Sequence, residues 1–118
     1  MKTQTSFALV AVMGLSLLAS CTINPHPMDM TEAVQNAKTR ADHEALAKHY
    51  EDAAKEMQVK VEEHKNLLAG YKEAARFYTG FASTFTNEHD VLVTIYGRAA
   101  AANMKIAEAH RQMAAGAK

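Results

Sequence analysis

One apolar stripe constrains this chain more than any other feature. Leu46, Tyr50, Ala53, Met57, Val61, His64, Leu68, Tyr71, Ala75 and Tyr78 recur at steps of three and four residues. That is the helical period, close to a heptad seam, and it predicts one long amphipathic helix from about Arg40 to Tyr78. The chain holds only two Pro and five Gly, with Ala, Glu and Lys abundant, which also favours helix over sheet. The opposite face places Glu44, Glu51 and Glu56 four residues before Lys48, Lys55 and Lys60. That orientation supports a helix, and it reads as a solvated face.

The segment Phe77 to Thr86 interrupts the stripe. Gly80 with neighbouring Ser and Thr favours a turn there, and Phe77, Phe81 and Phe85 would cap the end of a hairpin. A second helix is expected from about Asn87 to Ala115, capped by Thr86 or Asn87. Its apolar stripe reads Leu92, Ile95, Ala99, Ala102, Ile106 and Met113, and the Ala99–Ala102 run permits close helix approach. The expected fold class is therefore all-α, a long antiparallel helical hairpin. Two helices of a 118-residue chain make a thin core. Either a short third helix over Thr31–Thr39, with Thr31 as its cap, folds back, or two hairpins pair into a four-helix bundle. A homodimer is the favoured solution, with a helical envelope protein as the other candidate partner.

The N-terminus carries an address. Lys2 precedes an apolar run, Phe7 to Leu18, too short to span a bilayer but suited to a secretory signal. Leu18-Ala19-Ser20-Cys21 then resembles the lipobox of bacterial lipoproteins. The resemblance covers about the first 21 residues and no family is recognised in the rest. It implies cleavage before Cys21, lipidation of Cys21, and attachment to a membrane through the acyl chains. Thr22 stands where Asp marks inner-membrane retention, so the resemblance implies the periplasmic face of the outer membrane in a Gram-negative host. An anchored Cys21 also explains why an exported chain holds one thiol. The resulting division is residues 1–20 signal peptide, 21–30 lipidated Cys and extended tether carrying Pro25 and Pro27, and 31–118 helical hairpin.

Composition and spacing exclude several chemistries. Thirteen basic residues against thirteen acidic ones provide no phosphate-binding excess, which argues against nucleic acid as a partner. A single Cys rules out a disulfide framework and a Cys-rich zinc knuckle. No Glu stands three residues before a helical His and no two His stand four apart, so neither a di-iron bundle nor a helical zinc protease is written here. No Ser or Cys nucleophile lies beside a base, and a non-enzymatic role is expected.

Six histidines remain. A turn centred near Gly80 to Thr84 sets His110 opposite the Met57 region, His89 opposite Arg76 and His64 opposite Ala101. It leaves His43 beyond the end of the second helix, so no histidine pair is expected to meet within one chain. His43, His64 and His110 are expected to be half-buried, each with one hydrogen bond, and His49 to make a surface contact with Asp52. The metal candidates are His26, Met28 and Met30, alternating along the tether, with His49, Met57 and His110 as a second set. Imidazole with soft thioethers selects copper as Cu(I), the one candidate cofactor. Two functional readings follow: an anchored, non-enzymatic structural or interaction module, and a periplasmic copper-binding or buffering lipoprotein. Histidines near the seams also predict a structure that weakens between pH 8 and pH 5.5.

Overall fold

The computed structural model describes residues 28–77 and 79–117. Helix α1 spans Met30–Asn36, α2 spans Arg40–Glu73, a 3-10 turn covers Ala75–Phe77, and α3 spans Ala82–Gly116. Helices α2 and α3 pack against each other along their length as an antiparallel hairpin, and α1 packs on α2. At 34 and 35 residues the long helices each extend ~50 Å. The all-α hairpin with a short third helix is the architecture found.

The helix starts follow side-chain chemistry. Asp29, not Thr31, caps α1: its carboxylate accepts from the backbone N–H of Thr31 at 3.0 Å and of Glu32 at 3.2 Å. Met30 therefore belongs to the helix and the tether ends one residue sooner than its sequence suggests. Ala37 adopts an extended backbone that separates α1 from α2. A capping box then opens α2: Thr39 Oγ1 accepts from Asp42 N–H at 3.2 Å, while Asp42 accepts from the N–H groups of Thr39 and Lys38 at 2.8 and 3.0 Å. These backbone donors hold the Asp42 carboxyl down at about 2.

The reversal lies earlier than Gly80. Helix α2 closes at Ala74, and α3 begins at Ala82 rather than Asn87. The Thr86 hydroxyl donates back to the Ala82 carbonyl at 2.9 Å, so a residue expected outside the helix is satisfied within it. Phe85 stacks on Tyr71 with ring centroids 4.8 Å apart, fixing this early start by a tertiary contact. Phe77 and Phe81 stay largely exposed and do not cap the hairpin end. No described residue at the reversal has positive φ.

The seam between the long helices is built from buried and half-buried positions in two heptad series. On α2 they are His43, Ala47, Tyr50, Ala54, Met57, Val61, His64, Leu68 and Tyr71. On α3 they are His89, Val93, Tyr96, Ala100, Asn103, Ala107, His110 and Ala114. Alanines at seven-residue intervals, Ala47 and Ala54 against Ala100, Ala107 and Ala114, allow close approach of the backbones. Between them sit layers of rings. This corrects the stripe expected on α3: Ile95, Ala102, Ile106 and Met113 are exposed, and the inner seam runs about 100° further round the helix.

Surface charge also pairs differently from the Glu-to-Lys spacing. Arg40 pairs with Glu44, Lys48 and Lys55 share Asp52, Lys60 pairs with Glu63 and Lys65 with Glu62. Glu51 instead crosses the hairpin to Arg111, whose Nε donates at 2.6 Å. Exposed pairs of this kind are freely exchanged among neighbours, and spacing alone does not select one.

Candidate functional site: two histidine pairs in the seam

The shorter turn changes the register, and the register brings histidines together. His43 Nδ1 lies 3.2 Å from His110 Nδ1, and His64 Nδ1 lies 2.9 Å from His89 Nδ1. Both contacts are half-buried and join α2 to α3. They correct the expectation that no pair meets within one chain. A reversal centred near residue 77 slides α3 along α2 by about twelve residues from the expected register, and His110 then falls opposite His43.

The two pairs are copies of one arrangement. His64 follows His43 by 21 residues and His110 follows His89 by 21, which is three heptads on each helix. The pairs are therefore ~30 Å apart and point to the same side of the seam. Tyrosines clamp the rings. His110 stacks between His43, at 5.4 Å between centroids, and Tyr50, at 5.8 Å. His64 lies between His89, whose ring is tilted to it at 5.1 Å between centroids, and Tyr96, on which it stacks at 5.4 Å. Tyr71 covers the other side of His89 at 5.2 Å. A signal for this stands in the sequence: His43, His64 and His89 are each followed seven residues later by Tyr50, Tyr71 and Tyr96.

In each pair one Nδ1–H donates to the other ring's lone pair, so the pair is satisfied when both rings are neutral. A second proton would set two cations about 3 Å apart. Burial, and then the charge of His43, hold His110 below the ordinary histidine value. Carboxylates of Asp42 and Glu63 feel the nearby His43 and His64. Because His110 is depressed when folded, the unfolded chain binds its proton first as pH falls. Stability from this group is complete above about pH 6.5 and is lost as pH drops through the lower folded value. Urea denaturation from pH 8 to pH 5 should therefore show a midpoint that declines below pH 6.5. His110→Gln should flatten that decline, and an unchanged slope in the variant would assign it elsewhere.

The residues singled out from sequence are dispersed. Cys21 and His26 lie outside the described residues. Met28 precedes α1 and shares an open hollow of about 380 Å³ with Ala45, Lys48, His49, Asp52, Ala53 and Glu56. Met30 sits in the first turn of α1, so the alternating geometry of an extended His26-Met28-Met30 tether does not continue through it. His49 is buried, 7% exposed, with its ring edge-on to Tyr50. Met57 occupies the seam, and His110 belongs with His43 rather than with His49 and Met57. Among the described residues no three or more His, Cys, Asp or Glu side chains gather into a metal cluster. Comparison of the chain with known protein families, curated proteins and solved structures finds no match.

Proposed function

We propose that this chain is a lipid-anchored envelope lipoprotein whose helical hairpin serves as a non-enzymatic structural and interaction module. No helix among the described residues is long and apolar enough to cross a membrane, and the proposal places attachment at Cys21, with the outer membrane's periplasmic face as the site in a Gram-negative host. Its occupant is a second copy of the hairpin, making a four-helix bundle.

The observation that carries this reading is the outer stripe of α3. Leu92, Ile95, Ala99, Ala102, Ile106, Ala109 and Met113 form a second heptad series, stepping three and four residues, beside the inner seam. Ile95, Ile106 and Met113 are 53%, 40% and 52% exposed. Arg111 and its ion pair with Glu51 lie on the other flank of the inner seam, which leaves the outer stripe as the open side. A straight apolar row of ~30 Å is complementary to itself in antiparallel pairing. The seven buried hydrophobics of the described chain include five alanines, so the single hairpin has little core of its own.

Light scattering on the full chain in mild detergent should give a dimer. Ile95→Glu with Ile106→Glu should weaken association at least ~100-fold, as two buried carboxylates in the interface would require. A double variant that remains dimeric would remove α3 as the interface. Separately, Cys21→Ser should move the chain out of the membrane fraction of an expressing bacterium.

A further inference from the structure

We propose that the His43–His110 and His64–His89 pairs are two equivalent chelating sites for a divalent transition cation of the kind that favours imidazole, such as Zn(II) or Cu(II). The proposal rests on the seam geometry and not on dimerisation or on the lipid anchor.

Two imidazole nitrogens bound at ~2.0–2.1 Å to one tetrahedral ion stand ~3.3 Å apart, and ~2.9 Å apart when the angle closes to a right angle. The observed Nδ1 separations, 3.2 and 2.9 Å, fall at these two values. In both pairs the same nitrogen, Nδ1, is turned toward the partner ring. The arrangement is also prepared before any ion arrives. Tyr50 holds His110, Tyr96 holds His64 and Tyr71 holds His89 by ring stacking, so binding orders little that is not already ordered. Finally, the arrangement occurs twice, three heptads apart on both helices, which a chance contact does not explain.

Binding replaces the proton shared between the rings with a cation. The ring that donated through Nδ1–H changes tautomer, its proton moving by way of solvent to its own Nε2, so two neutral imidazoles supply their Nδ1 lone pairs, no net proton is released, and nothing is oxidised or reduced. Water completes the coordination, because no third His, Cys, Asp or Glu joins either pair among the described residues. The cation would clamp α2 to α3 at both ends of the seam.

The test uses the full chain carrying Cys21→Ser, which removes the one thiol, in mild detergent with Zn(II) alone. Long-range ¹H–¹⁵N spectra report each ring nitrogen separately. The expected result is saturation at two Zn(II) per chain, with Nδ1 of His43, His110, His64 and His89 bound and Nε2 of each protonated. Thermal melting should rise with Zn(II). His110→Ala should leave one Zn(II) per chain, and His64→Ala with His110→Ala should lose both, each site weakening roughly ten-fold or more because a chelate's second ligand binds as an intramolecular step. Zn(II) appearing on Nε2, or on His26 or His49 in place of the four seam histidines, would overturn the proposal. So would a double variant that binds two ions as tightly as the unsubstituted chain. The nitrogen assignment needs no seam variant, so it decides the matter even if the alanine variants fold poorly.

Discussion

Ala107→Asp unfolds the hairpin. Ala107 is 1% exposed in the inner seam, and the register set by the two histidine pairs places it beside Ala47, which is fully buried. A carboxylate there has neither room nor a partner. Inserting bulk into a packed core costs about 1–3 kcal/mol, and burying an unpaired charge adds several more. A domain of this size is stable by ~5–15 kcal/mol at most, and a two-helix core belongs at the low end. The expected outcome in circular dichroism is loss of most helical signal at 25 °C, or a melting temperature lowered by ~20 °C or more. Ala101→Asp, on the same helix but exposed, should change stability by less than ~0.5 kcal/mol. Similar melts for the two variants would mean that α3 turns a different face to α2.

Leu46→Ala should carry the next largest cost, ~2–5 kcal/mol in urea denaturation. Leu46 is 2% exposed and is the largest fully buried side chain described. It lies one residue before the seam alanine Ala47 and one helical turn from His49, which is also buried. The surrounding side chains are small or already clamped, Ala47 and the His49–Tyr50 edge contact among them, and cannot close over the gap. Substituting Leu67, which is 40% exposed near the far end of α2, should cost under ~1 kcal/mol. If both leucines cost the same, Leu46 is not enclosed by the packed hairpin.

These variants follow from a seam that only part of the sequence reading located. On α2, spacing and burial agree at Tyr50, Met57, Val61, His64, Leu68 and Tyr71, because one apolar stripe faces a charged back. On α3 two heptad series run side by side, and a reading by size selects Ile95, Ile106 and Met113 over Ala100, Ala107 and Ala114. The hairpin buries the smaller set. Small side chains let the backbones approach closely enough for His and Tyr rings to interleave, and that packing outweighs the transfer energy of the larger residues. The turn shows the same competition: Ser, Thr and Gly80 suggest a reversal near residue 82, yet the Phe85–Tyr71 stack extends α3 back to Ala82.

The histidine pairs depend on that extension. Helical spacing carries no information about which residue of one helix lies opposite which residue of another, and a shift of a few residues in the turn changes every cross-helix neighbour. The helical class, the two long amphipathic elements, the α2 seam and the 21-residue repeat of histidines are legible in the residues alone, because each is a property of local period and propensity. Which stripe of α3 is buried, where the chain reverses, and that His43 meets His110 while His64 meets His89 emerge only in the folded hairpin. Those are outcomes of packing between distant segments, where ring stacking and close alanine contacts compete with local preference and win.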